Sequence, residues 1–118
     1  MGSFGKIAVP SKGKTLDSMV DDRFARARNF IIYDSEEKEI VEIVNNETDQ
    51  AHGMGPKIVQ LLESKKVKTV IAPSVGLNAF ESLKAAGIEI YLFSNGTVKE
   101  ALEKLDHGEL KRMESPSN

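Results

Sequence analysis

His52-Gly53-Met54-Gly55-Pro56 is the stretch in which residue type and spacing most plainly offer chemistry. It holds one of the two histidines of the chain, two glycines and a proline suited to the first turn of a helix. Gly53 and Gly55 have no Cβ, so the backbone there can closely approach a bound group. An imidazole in that setting can ligate a metal ion or cluster, or donate a hydrogen bond to an anion. The same residue type is more often an exposed loop histidine bonded to a neighbouring carbonyl, and the residues alone leave both readings open. His107, beside Gly108, sits where a cation offsets a helix C-terminus, which is a structural role.

Arg23, Arg26 and Arg28 are three of the four arginines, gathered within six residues. A guanidinium is a planar fork that binds carboxylates and oxyanions through two N–H groups. Asp17, Asp21 and Asp22 lie just upstream, and a segment in which these acids simply neutralise the arginines is an equal alternative. Their spacing does not form a calcium-binding EF-hand loop. Asn78, with Ser74 and Gly76 nearby, either directs a polar group to the same ligand or starts a helix.

Several activities are excluded. Gly53-Met54-Gly55 lacks the third glycine of a dinucleotide fingerprint, and no Walker sequence is present. The expected central strands carry no carboxylates for a two-metal nuclease. No Ser–His–Asp arrangement stands out, and the chain has no cysteine nucleophile. These residues point to a binding or carrier protein and not to an enzyme.

Composition agrees. The chain of 118 residues is sized for a single domain, and its 40% hydrophobic and 29% charged residues suit a globular protein. A net charge of -2 offers no bulk attraction to nucleic acid or to an anionic membrane. Without cysteine there is no disulfide, no thiolate zinc site and no thiolate-held iron–sulfur cluster. No apolar run reaches the roughly 18 residues of a membrane helix, and the N-terminus lacks a signal-peptide core. Met1-Gly2-Ser3-Phe4-Gly5-Lys6 opens like a myristoylation signal, but Lys6 stands where Ser or Thr is required. The expectation is a soluble, cytoplasmic protein.

The elements that must position these residues follow from periodicity. Lys6 to Pro10 reads as a buried strand, and Ser11 to Lys14 as a turn. Residues 15 to 28 have rough helical spacing through Leu16, Met19, Val20 and Phe24, predicting a loop with one or two helical turns. Asn29 to Asp34 and Glu39 to Val44 form a hairpin around Ser35-Glu36-Glu37-Lys38. Pro56 opens a helix that ends near Lys65, followed by a strand from Val67 to Pro73. Gly76 to Ala86 is a helix stopped by Gly87, and Ile88 to Phe93 is the last strand. Thr97-Val98-Lys99-Glu100 matches a capping box for a helix closed by Gly108. The core spans about residues 6 to 108, and residues 109 to 118 form a loose polar tail.

This order predicts an α/β fold: a mixed five-stranded sheet flanked by helices, with the second strand antiparallel to the first and third. Residues 10–28, 45–56, 73–78 and 94–97 then share the edge at the carboxyl ends of the strands, where open α/β sheets bind ligands. Three helix N-termini, near Pro56, Gly76 and Thr97, would present unpaired N–H groups there, which favours an anion.

The combined pattern resembles the dinitrogenase iron–molybdenum cofactor biosynthesis family. It is carried by Lys6-Ile7-Ala8-Val9-Pro10, by Asp22-Arg23-Phe24-Ala25-Arg26-Ala27 with Phe30, and by His52-Gly53-Met54-Gly55-Pro56. It continues through Gly76-Leu77-Asn78-Ala79, Leu83-Lys84-Ala85-Ala86-Gly87-Ile88 and Gly96-Thr97-Val98-Lys99-Glu100-Ala101-Leu102. The resemblance implies a ribonuclease H-like fold and loose binding of an iron–molybdenum cofactor or an iron–sulfur precursor, with a cofactor-assembly protein as partner. It implies His52 as the metal ligand and Arg23 and Arg26 beside an anionic cofactor. Two steps depart from the family pattern: Phe24-Ala25-Arg26 has alanine in place of glycine, and Gly76-Leu77-Asn78 has leucine in place of proline. A regulatory or interaction domain that binds another anionic metabolite or a protein partner is the alternative.

Overall fold

The computed structural model describes residues 4–45 and 54–116. Its elements in chain order are β1 (Lys6–Ser11), β2 (Asn29–Asp34), β3 (Glu39–Asn45), α1 (Met54–Ser64), β4 (Val67–Ala72), α2 (Leu77–Ala85), β5 (Glu89–Leu92), α3 (Val98–Asp106) and β6 (Lys111–Arg112). They build one mixed sheet in the order β3-β2-β1-β4-β5-β6. β1 is antiparallel to β2 and parallel to β4, β2 is antiparallel to β3, and β4 is parallel to β5. β1, β3, β4 and β5 therefore run the same way, as the sequence predicts.

The sheet has six strands where five were expected. The sixth comes from the segment read as a polar tail: Lys111 pairs with Leu92 and Arg112 with Tyr91. The adjoining Met113 is buried against the sheet, and its N–H donates to the Ile90 carbonyl at 2.8 Å. A strand of two charged residues has no apolar alternation, so periodicity could not reveal it.

The central strands are apolar throughout because both faces are covered. Ala8, Phe30, Ile32, Val70, Ala72 and Ile90 face a layer built with Ile58, Val59 and Leu62 of α1 and Ala79, Phe80 and Leu83 of α2. Ile7, Val9, Ile31 and Ile71 face a second layer built with Val98, Ala101, Leu102 and Leu105 of α3.

The helix ends follow local chemistry. Thr97 caps α3 in a complete capping box: its hydroxyl accepts from the Glu100 N–H at 3.1 Å, and the Glu100 carboxylate accepts from the Thr97 N–H at 2.8 Å. Gly87 and Gly108, just beyond α2 and α3, adopt φ of 75° and 71°, the left-handed conformation that closes a helix. α1 starts at Met54, two residues before the predicted Pro56. Proline is tolerated there because the first-turn N–H groups have no intrahelical acceptor. Among the described residues, no helix is long and apolar enough to cross a membrane.

Candidate functional site

The edge beyond the carboxyl ends of β1, β4 and β5 is where the sequence places its polar residues, and the segment 12–28 is its main wall. This segment is a loop, as predicted, and in place of helical turns it has two isolated turns, in which the Ser18 N–H donates to the Thr15 carbonyl at 3.0 Å and the Ala27 N–H to the Phe24 carbonyl at 3.2 Å. Its apolar residues are spaced like a helix stripe but serve two different layers. Val20 packs with α3, whereas Phe24 and Ala27 pack in the layer of α1 and α2. A single helix face cannot reach both sides of a sheet, so the chain lies across the edge as irregular backbone.

Hydrogen bonds fix it there. The Asp21 N–H donates to the Pro10 carbonyl, and the Val20 N–H donates to the Gly96 carbonyl, both at 2.9 Å. The Val98 and Lys99 N–H groups at the start of α3 donate to the Ser18 and Leu16 carbonyls at 2.9 and 2.8 Å. With Glu100 held by Thr97, the first three N–H groups of α3 are satisfied within the chain. The N-terminus of α3 is thus not an open anion site, which corrects the expectation of three open helix starts.

α2 is different. Its N-cap is Gly76, which has no side chain to cap with, and its first turn contains no acidic residue. Asn78 lies in that turn and is exposed. The N–H groups at the start of α2 therefore retain the partial positive charge of a helix N-terminus. The first turn of α1, which includes Gly55, also has no acidic residue. His52 and Gly53 lie outside the described residues.

Arg23 and Arg26 are exposed and alternate with buried Phe24 and Ala27. Phe24 meets Phe30 edge-on, with ring centroids 5.3 Å apart. Phe24 and Ala27 share their apolar layer with Val75 and Ala79 at the start of α2. The structure therefore brings the arginine segment and the open start of α2 to the same layer at the same edge.

The residue that sequence reasoning undervalued is Asp21. Its side chain is 3% exposed, yet its Oδ1 accepts the Arg23 N–H at 3.0 Å and Arg23 Nε at 3.4 Å. Its Oδ2 accepts the Arg28 N–H at 3.4 Å. Burial pushes the carboxyl up, but the hydrogen bonds from Arg23 and Arg28 and the charge of Arg23 prevail and hold it below its ordinary value. An aspartate that accepts from the N–H two residues on is an Asx-turn, and Asp21-Asp22-Arg23 was the available signal. Of the two readings of the acid–arginine segment, pairing holds for Asp21 and Arg23. That ion pair engages only Nε, and the Arg23 side chain remains 64% exposed.

Asn29, the first residue of β2, pairs across the sheet with Ser11 at the end of β1 and Asn45 at the end of β3. It is 2% exposed, and its Oδ1 has no hydrogen-bond partner among the described residues. Among the described residues, no group of three or more His, Asp or Glu side chains is placed to hold a metal ion.

Comparison with known proteins gives this geometry a context. The family model described as dinitrogenase iron-molybdenum cofactor matches residues 5–108. The chain belongs to this family. It is 51% identical to a candidate NifB protein from Thermotoga of known NMR structure, with 97% of each chain covered and a TM-score of 0.86. It is 31% identical to the orange protein from Desulfovibrio gigas, solved in its apo form, with 96% of each chain covered and a TM-score of 0.90. An uncharacterized protein of Methanocaldococcus jannaschii is 28% identical over 112 residues, 92% of each chain. The family member described here thus shares its α/β sheet with solved relatives.

Proposed function

We propose that this protein is a non-enzymatic accessory protein that binds or carries a metal–sulfur cofactor of the iron–molybdenum or iron–sulfur type, or a precursor, at the loop edge of its sheet. Family membership over residues 5–108 supports this ligand class. The observation that carries the reading is the arginine segment, braced by buried Asp21, in the same layer as the uncapped start of α2. Such cofactors are anionic, and exposed guanidinium groups with open helix N–H groups suit them.

The donor set also fits loose holding. The chain has no thiolate to bind iron directly. His52 is the proposed metal ligand, with Gly53 and Gly55 allowing close backbone approach. Arg23, Arg26 and Asn78 are proposed as hydrogen-bond donors to the anionic surface of the cofactor. A cofactor-assembly protein is the proposed partner that delivers or receives the cargo, and the cytoplasm is the proposed compartment. The coarser alternative, a domain that binds another anionic metabolite, draws on the same arginines and needs no metal.

The test is an anaerobic titration with a synthetic iron–sulfur cluster and with isolated cofactor, followed by absorption spectroscopy. The native protein is expected to bind, and His52→Ala is expected to weaken binding by about tenfold or more, as loss of a ligand does. Equal binding by both would remove His52 from the site. Absence of binding by the native protein, together with a thermal-shift response to molybdate or phosphate lost in Arg23→Ala/Arg26→Ala, would favour the anionic-metabolite reading.

A further inference from the structure

β3 is the outer strand of the sheet, and no strand among the described residues pairs with its far side. The backbone N–H and C=O groups on that side form a template for another strand. Soluble proteins commonly blunt such an edge with lysine or proline, and Glu39–Asn45 contains neither. Instead, Val41 and Ile43 are 42% and 37% exposed along it.

Pairing with β2 sorts the side chains of β3 by face. Ile40 lies opposite Tyr33 and Ile43 opposite Ile31, on the side of α3. Glu39 lies opposite Asp34, Glu42 opposite Ile32 and Val44 opposite Phe30, on the side of α1. Val41 is the extra residue where the register shifts between the two acids. The edge is thus apolar on one face and mainly acidic on the other. Residues 34–45 carry five acids, Asp34, Glu36, Glu37, Glu39 and Glu42, against Lys38 alone, a charge of -4 in a chain whose total is -2. Lys65 neutralises Glu42 at 2.6 Å, but Glu36, Glu37 and Glu39 form no ion pair among the described residues.

We propose that the outer edge of β3 docks an extended, basic segment of a partner protein, which adds to the sheet as a seventh strand. Apolar side chains on one face of that segment meet Ile40 and Ile43, and lysines or arginines on its other face meet Glu39 and the acidic turn. Backbone hydrogen bonds supply affinity in such strand addition, and the alternating side chains supply specificity. Opposite charges across a strand pair attract and like charges repel. The acids that admit a basic strand therefore disfavour a second copy of this chain, whose own β3 would bring another -4 to the seam. The proposal does not depend on the cofactor reading.

NMR titration of the isotope-labelled full chain with a peptide of about ten alternating lysine and valine residues tests this. Saturable shifts of the residue 39–45 amides are expected. Glu39→Lys is expected to weaken binding by at least about threefold, and Ile43→Ser, which leaves the charge unchanged, by a similar factor. The same spectra show that each variant is folded, and the two positions give independent readings. A peptide of equal charge with proline at every second valine lacks N–H donors and is expected not to bind. Equal binding of the proline peptide, shifts confined to other surfaces, or no binding of the lysine–valine peptide overturns the proposal. Sedimentation showing that the native chain self-associates, with the association lost in Ile43→Ser, also overturns it and assigns the seam to a second copy.

Discussion

Asp21 and Arg23 form one ion pair but should behave unequally on substitution. The carboxylate is buried and accepts three hydrogen bonds, so Asp21→Ala strands two backbone N–H groups and is expected to cost about 2 kcal/mol in chemical denaturation. Arg23→Ala removes an exposed, solvent-screened partner and is expected to cost no more than about 0.5 kcal/mol. Its effect belongs instead in ligand affinity. The sign of the pH dependence follows from the depressed carboxyl. Its folded value lies below the unfolded value near 3.8, so its contribution is present above that pH and is lost as pH falls through the folded value. The expected result is a steeper loss of stability below pH 3.8 in the native protein than in the variant.

At the scale of elements, local chemistry was legible and division of labour was not. The capping box of α3 could be read from Thr97 and Glu100 because both halves of the interaction lie within one turn. Thr97→Ala is expected to destabilise by about 1 kcal/mol, visible as a lower denaturation midpoint. Gly96→Ala should cost more, because a Cβ there would lie 2.5 Å from both the Phe93 ring and the Glu100 carboxylate, disturbing packing and cap together. The segment 15–28 misled because Val20 and Phe24, four residues apart, look like one stripe but enter opposite layers. Orphaned Asn29 was invisible because its burial depends on strand pairing, which no local spacing encodes.

For the molecule as a whole, the strand order from β1 to β5 followed from alternating helix and strand patterns, and the open end of the sheet did not. Met113, directly after β6, packs into the core. Removing residues 109–118 is expected to lower stability by about 2 kcal/mol, the usual scale for losing one buried methionine side chain. It would also free the edge of β5, and concentration-dependent light scattering on warming should report the resulting self-association.

The central position of β1 also sets a timetable for folding. β1 to β3 form a meander that can pair as soon as Asn45 exists, but the other side of β1 waits for β4, where Ile7 meets Thr69 and Ala8 meets Val70. On the ribosome, the strand made first is therefore completed late, and its parallel side stays unpaired while the residues up to β4 are being made. Closing that long loop is the costly step. Substitutions at the β1–β4 seam should slow refolding, whereas those in the β2–β3 hairpin should mainly hasten unfolding.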